Sequence, residues 1–395
     1  MINTADGKYC ITGANDRTVR LWNPTRIDPV YKNNNSSFVK NNTSQNLNGG
    51  GQSPLASSRV LPSALPIQTY NDGHVHPIYA LTTDRASTVL LSASDRTLLS
   101  TDLVTAQAKR RFWGHTARIE YVACLGGENS NADDDAAAYG LGEEIYASAS
   151  YDSTIRLWDS RSRSNDPLMI LTDAKDAVTC VAPAPNTGQG SEAQIITSSV
   201  DGRMRTYDLR MARLITEDIT SGEEECNRVP ITSFSISSNT PRKSSGDSGS
   251  LVAASCLDGT IRIWNRVGSS STNDDGMRLD NNRKTKRRVH KLHSYHTSDK
   301  YKIGCAFTSD NKYIISGSEC GGVAVYSVPE NIEKSVRGRN DYGGTATTLN
   351  RHVGPTCSVA TCPMISRPSL VLSASYDGTA IVWTSREKYD SCLDG

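Results

Sequence analysis

An excess of charge is the first thing this chain lacks. Its 43 Lys and Arg stand against 42 Asp and Glu, a net charge of +1. No overall field therefore draws in nucleic acid or an acidic membrane surface. No apolar run approaches the roughly 18–20 residues that cross a bilayer as a helix. The opening MINTADGKYCITG has neither the basic region nor the apolar core of a secretory signal. The ten cysteines form no C-x-x-C pair. Scattered as they are (Cys10, Cys124, Cys180, Cys256, Cys305), they read as small buried apolar residues of a reduced chain in the cytoplasm or nucleus. P-loop, nucleophile elbow and Cys–His pairing are all missing, so no catalytic residue, cofactor or enzyme activity is expected.

Tryptophan is scarce too, and its placement is informative. Four of the five tryptophans end copies of one pattern: ITGANDRTVRLWN (11–23), SASYDSTIRLWDS (148–160), ASCLDGTIRIWN (254–265) and SASYDGTAIVWTS (373–385). An Asp stands six residues before each Trp, as Asp16/Trp22, Asp152/Trp158, Asp258/Trp264 and Asp377/Trp383. Three degenerate copies keep that spacing, Asp95/Thr101, Asp201/Tyr207 and Cys320/Tyr326, giving seven units. Self-similarity of this kind marks a repeat architecture, in which each unit buries its faces only against its neighbours.

Each copy reads as a hairpin. In the third, IYASAS alternates and is β-prone, YDS turns, and TIRLW returns. Asp suits the turn because its carboxylate accepts backbone N–H groups left unpaired there. Several hairpins follow a His-bearing turn and another apolar strand, as in GHTARIEYVAC (114–124), YHTSDKYKIGCAFTSD (295–310) and RHVGPTCSVATCP (351–363). A unit is thus at least three antiparallel strands, with a fourth expected in the linker. Seven such units set radially make a β-propeller.

These residues are similar to those of the WD-repeat family. The resemblance implies a tetrad in each blade: turn Asp, His of a Gly-His turn, strand Ser or Thr, and Trp indole. By position these are His115, Ser148, Asp152 and Trp158 in blade 3, and His352, Ser373, Asp377 and Trp383 in blade 7. Other blades depart: Thr101 replaces Trp in blade 2, Ala254 replaces Ser in blade 5, and Cys320 and Tyr326 replace Asp and Trp in blade 6. A decaying repeat reads as structural, because a catalytic His–Asp–Ser assembly would occur once. The expected fold is all-β, a single seven-bladed WD-repeat β-propeller over 1–395. Its blade hairpins lie near 11–23, 91–102, 148–159, 197–208, 254–265, 316–326 and 373–384.

Positions 22, 101, 158, 207, 264, 326 and 383 lie further apart than the roughly 40–45 residues of a WD unit. The excess sits in polar linkers, expected to protrude as long disordered insertions. They include a low-complexity insertion at 27–66, a basic insertion at 267–290, and stretches at 126–144, 183–193 and 238–250. Blade 1 has only a stump of its first strand. The N-terminal strand that closes the last blade in this family is missing, so the expectation is an upstream start or a fragment.

Within the basic insertion, Arg283-Lys284-Thr285-Lys286-Arg287-Arg288 resembles a nuclear-localisation or RNA-contacting run, the only direct nucleic-acid contact expected; a solvated charged loop is the plainer reading. His290, His293 and His296 are three apart, but His296 fills the tetrad slot and the others read as linker, so no metal is expected. Trp158-Asp159-Ser160-Arg161 and Tyr207-Asp208-Leu209-Arg210 end consecutive blades alike. Such ends resemble those of substrate receptors of cullin-type ubiquitin ligases, making Arg161 and Arg210 candidate partner-binding residues, or solvated rim residues.

The stretches 148–181, 198–214, 293–328 and 6–24 are similar to the mitogen-activated protein kinase organizer family of WD-repeat scaffolds. That likeness implies a non-catalytic scaffold whose partners are kinase-cascade components, spliceosomal proteins in mRNA splicing, or both. A cullin ligase adaptor is the alternative partner, and no membrane is expected.

Overall fold

A computed structural model describes residues 1–4, 7–24, 64–71, 73–126, 144–184, 194–211, 213–218, 228–237, 250–266, 289–292, 297–328, 346–363 and 370–384. Among them there is no helix; all regular structure is strand, in seven antiparallel sheets. Blade 1 holds β1 (Ile2–Asn3), β2 (Cys10–Gly13), β3 (Val19–Trp22) and β4 (Gln68–Tyr70). Blade 2 holds β5 (Ala80–Thr83), β6 (Val89–Ala93), β7 (Thr97–Asp102) and β8 (Ala108–Trp113). Blade 3 holds β9 (Ile119–Cys124), β10 (Ile145–Ser150), β11 (Ile155–Asp159) and β12 (Met169–Leu171). Blade 4 holds β13 (Val178–Pro183), β14 (Gln194–Ser199), β15 (Arg203–Asp208) and β16 (Arg213–Asp218).

Blade 5 holds β17 (Ile231–Ile236), β18 (Ser250–Cys256), β19 (Ile261–Arg266) and β20 (His290–Leu292). Blade 6 holds β21 (Cys305–Phe307), β22 (Tyr313–Gly317), β23 (Gly322–Ser327) and β24 (Ala346–Asn350). Blade 7 has three strands among the described residues, β25 (Thr356–Thr361), β26 (Val371–Ser375) and β27 (Ala380–Trp383). The result is a seven-bladed β-propeller of WD repeats, with the fourth strands supplied by the linkers. Blade 1 does begin with a two-residue strand, and blade 7 lacks an outer strand among the described residues. The stretches 27–63, 127–143, 185–193, 238–249 and 267–288, including the basic run, lie outside the described residues, as do His293 and His296. His290 is no linker residue, because it opens β20 and pairs opposite Ile263.

One register recurs. Tyr146 pairs opposite Trp158 and Ser148 opposite Arg156 in blade 3; Val252 opposite Trp264 and Ala254 opposite Arg262 in blade 5. The turn between each such pair closes with a residue in the left-handed region: Gly202 (φ 74), Gly259 (φ 68), Gly321 (φ 83) and Gly378 (φ 79) in blades 4 to 7. Blades 1 and 3 place Arg17 (φ 68) and Ser153 (φ 64) there, at roughly 1 kcal/mol of strain each. In blade 2 the turn is a residue shorter and closes from the Ser94 N–H to the Thr97 carbonyl at 3.0 Å.

The core lies between blades rather than within them. Ala147, Ile155 and Leu157 of blade 3 pack on Val178, Ile195 and Tyr207 of blade 4. Ile196 and Met204 of blade 4 meet Val252 and Trp264 of blade 5. Comparable clusters join blades 1 and 2, 2 and 3, 5 and 6, and 6 and 7. Blade 7 meets blade 1 where β25 packs on β1, and the Met1 amino group lies 3.4 Å from Ser358 Oγ. The five cysteines Cys10, Cys180, Cys256, Cys305 and Cys362 are buried, Cys124 and Cys357 are half-buried, and all are free thiols. Cys320 is the exception to the sequence reading. It is exposed, because it occupies the tip of a hairpin where the other blades carry Asp.

Such seams leave no spare volume. At Gly317, a methyl group would collide with the main-chain carbonyl of Thr356 in the next blade. Overpacking costs of about 1–3 kcal/mol are usual, so Gly317→Ala is expected to lower the thermal unfolding midpoint clearly. An unchanged midpoint in a melting experiment would show the blade 6–7 seam to be looser than described.

Candidate interaction surface

Blade 3 contains the most complete polar network. Trp158 Nε1–H donates to Ser148 Oγ at 2.8 Å. Ser148 lies 2.7 Å from His115 Nε2, and His115 Nδ1 lies 2.8 Å from Asp152 Oδ2. The carboxylate can only accept, so the proton sits on Nδ1, Nε2 accepts from the serine hydroxyl, and all donors point one way. Asp152 also accepts the Thr116 N–H (3.0 Å), the Thr154 N–H (2.9 Å) and the Thr154 hydroxyl (2.6 Å). The order Ser–His–Asp is that of a hydrolytic triad. Ser148, however, is 0% exposed and sits under the indole, where no substrate carbonyl can reach it.

Blade 7 repeats the arrangement with a detour. Trp383 Nε1–H donates to Ser373 Oγ at 2.8 Å, and Ser373 lies 2.7 Å from His352 Nε2. His352 Nδ1 is closer to Thr379 Oγ1 (2.9 Å) than to Asp377 Oδ2 (3.3 Å). Asp377 accepts the Val353 N–H at 2.9 Å.

Where no described histidine faces the turn Asp, an arginine four residues on takes its place. Arg205 Nη2 meets Asp201 at 2.5 Å, Arg262 Nη2 meets Asp258 at 2.7 Å, and Arg20 Nη2 meets Asp16 at 2.6 Å. Sequence reasoning missed this exchange, although Arg stands two residues before the aromatic in each of these copies. It also missed His74 of Gly73-His74, whose Nε2 lies 2.6 Å from Ser92 Oγ in blade 2. In blade 6, Glu319 beside Cys320 takes over the loop. Its Oε1 accepts the N–H groups of Asp299, Lys300 and Tyr301 at 2.6, 2.7 and 2.9 Å.

Blade 5 shows the cost of a missing member. With Ala254 in the serine slot, the buried Trp264 Nε1–H has no hydrogen-bond partner among the described residues. Ala254→Ser should supply the acceptor that Ser148 provides in blade 3. A restored buried bond is worth about 1 kcal/mol, so the denaturation midpoint should rise at unchanged slope. A lower midpoint would mean that the strand cannot admit the hydroxyl.

Burial pushes Asp152 upward, but hydrogen bonds from His115 and Thr154 outweigh it and hold the carboxyl well below its usual range. Burial likewise lowers His115, more than Asp152 raises it. Burial, helped by the Arg111 charge, lowers His74 to about 4. Both histidines are therefore neutral in the fold, and the unfolded chain binds more protons below its ordinary pKa of about 6.5. Stability is complete above that value and falls as pH drops from 6.5 towards 4. Denaturant titrations at pH 7.5 and pH 5 should show the loss, and His74→Gln should reduce it. Equal stability at the two pH values would contradict the neutral assignment.

The candidate partner-binding arginines lie on the other face, since β11 runs from the Asp152 turn to the Arg161 turn. Arg161 is exposed; its Nε is 3.1 Å from Asp159 and 3.4 Å from Glu144. Its own N–H donates to Asp159 Oδ1 at 2.8 Å, and the Arg210 N–H donates to Asp208 Oδ1 at 3.1 Å. Consecutive blades thus present an arginine from the same carboxylate-capped turn. A cleft of about 700 Å³ between blades 2 and 3 is lined by Arg161, Arg163, Lys109, Arg110, Asp84 and Glu144. Lys109 pairs with Asp102 at 3.0 Å, and Arg110 is fixed on the main-chain carbonyls of Ser160, Ser162 and Ser164. Among the described residues no group of His, Cys, Asp and Glu could hold a metal.

Residues 2–23, 108–159 and 226–265 match the family described as WD domain, G-beta repeat. The chain is 25% identical over 346 residues, 82% of its length and 79% of the relative's, to the WD repeat domain-containing protein 83 homolog of Dictyostelium discoideum. It is 27% identical over 170 residues to the WD repeat domain-containing protein 83 of Rattus norvegicus, covering 43% of this chain and 41% of that one. With the Pre-mRNA-splicing factor cwf17 of Schizosaccharomyces pombe it shares 30% identity over 122 residues, 31% of this chain and 29% of that one.

Proposed function

We propose, from the WD repeats matched at residues 2–23, 108–159 and 226–265, that the chain is a non-catalytic scaffold for multiprotein complexes, its complexes those of the spliceosome, a mitogen-activated protein kinase cascade, or both. The observation that carries this reading is the likeness to the WD repeat domain-containing protein 83 homolog across 82% of the chain. The likeness to a protein named as a pre-mRNA-splicing factor adds weight to the spliceosomal arm. A rigid disc with two loop-bearing faces and a rim suits such a role, because it can hold several partners without chemistry of its own. On this reading the protein works in the nucleus, the cytoplasm or both.

A second reading has one observation in its favour, the like presentation of Arg161 and Arg210 from capped turns of adjacent blades. It makes the chain a substrate receptor that docks on a cullin ligase adaptor. Purification of tagged protein, with identification of what comes with it, separates the two. Scaffolding predicts spliceosomal proteins or kinases that stay bound to the Arg161→Ala, Arg210→Ala variant. The receptor reading predicts a cullin adaptor lost from that variant. Recovery of neither set would sink both.

A further inference from the structure

Serine and arginine alternate in the connection from β11 to β12 of blade 3, as Ser160-Arg161-Ser162-Arg163-Ser164. Residues 160–168 lie outside the strands. What holds their backbone is one side chain from blade 2. Arg110 Nη1 donates to the Ser160 carbonyl at 2.9 Å and to the Ser162 carbonyl, and Nη2 donates to the Ser164 carbonyl. Every second carbonyl is thus turned onto the same guanidinium. Arg161, Arg163, Ser164, Asn165 and Asp166 remain exposed.

Ser160 and Ser162 are half-buried, whereas Ser164 is exposed. The Ser164 hydroxyl donates to the Asp166 carboxylate at 2.6 Å, and the Asp166 N–H donates back to it at 3.0 Å. Arg163 and Arg161 stand one and three residues before it. Kinases select serines by such charge patterns, because guanidinium groups of the substrate pair with carboxylates of the enzyme. Thr206 has the same two arginines before it, Arg205 and Arg203. It is only 4% exposed within β15, and Arg205 is bound to Asp201. The same letters there present nothing to an enzyme.

From this contrast we infer that Ser164 is a phosphorylation site for an arginine-directed serine kinase. In that reaction Ser164 Oγ attacks the γ-phosphorus of ATP. The Oγ–P bond forms as the bond from the γ-phosphorus to the β–γ bridging oxygen breaks. The hydroxyl proton passes to the catalytic base of the kinase, and ADP departs with the bridging oxygen. The site does not depend on which complexes the chain enters.

A phosphate changes this loop in two ways. It removes the proton that Ser164 donates to Asp166, and sets a charge of about −1.5 to −2 against that carboxylate. It also meets cations that are loosely held. Arg161 is 62% exposed and reaches Asp159 and Glu144 at 3.1 and 3.4 Å. Arg163 has no ion pair among the described residues. A phosphate beside such arginines makes new charge-assisted hydrogen bonds, so the residue turns from Asp166 to the arginines. Arg161, drawn onto the phosphate, is then withdrawn from any partner at this rim.

The test starts from the full chain, tagged and purified from cultured eukaryotic cells treated with a phosphatase inhibitor. Digestion with an acid-directed protease and mass spectrometry of the peptides locate the modification. Phosphate is expected on Ser164 and not on Thr206. In the Arg161→Gln, Arg163→Gln variant its occupancy should fall about ten-fold or more, the loss carried by one charge-assisted contact to the kinase. Both arginines are exposed, so the thermal midpoint of the variant should hold. A chain synthesised with phosphoserine at position 164 reports where the phosphate sits. Its phosphorus-31 resonance should titrate below the value of about 6 usual for phosphoserine, and return to it when both arginines are Gln. An unmodified Ser164, phosphate on Thr206, occupancy indifferent to the arginines, or titration like that of a free phosphoserine peptide would each overturn the inference.

Discussion

Order at the hairpin tips depends on one interaction, a carboxylate that accepts N–H groups from the loop entering the same blade. Asp152 holds Thr116, Asp201 holds Lys175, Asp377 holds Val353, and Glu319 holds three consecutive residues. These donors leave the sheet ladder and would otherwise go unpaired. Hydrogen bonds to an ionised acceptor are about twice as strong as neutral ones. The serine, histidine and tryptophan beneath serve mainly to aim that carboxylate. Where the histidine slot is empty, as with Ala174 in blade 4, Arg205 aims it from the neighbouring strand. Tyr151 and Tyr376, at the tips of blades 3 and 7, are held by the same turns through hydrogen bonds to the Arg118 and Pro355 carbonyls.

Periodicity made the architecture legible. An Asp six residues before an aromatic can be read without a structure because turn and strand are contiguous in the chain. The hairpins follow from the same local pattern, whereas the tetrad positions of blades 3 and 7 came from the resemblance to the WD-repeat family. The empty place at Ala254 was visible too, although its consequence, an orphaned Trp264 indole, needed the burial of that ring to be known.

Other features were hidden for physical reasons. Arginine is common on strands, and nothing in its own letter shows that it faces a carboxylate across the hairpin. Glu319 works one residue from the slot the repeat assigns, so the spacing rule pointed to Cys320 instead. His74 was obscured by a blade that has lost its tryptophan and shortened its turn. The Lys302–Glu120 contact joins residues 182 apart in sequence, a separation over which no local pattern carries information.

The lysine that crosses the channel changes the kind of object this ring is. Arrays in which each repeat touches only its neighbours behave as one-dimensional chains and can fray a unit at a time. Lys302 draws a chord through that circle, tying blade 6 to blades 3 and 4. Blade 6 cannot then loosen without taking the Lys302 ammonium away from all three of its acceptors, although Glu120 keeps its pairing with Arg118. An opening of blade 6 must therefore break contacts in blades 3 and 4 as well as those of its own seams.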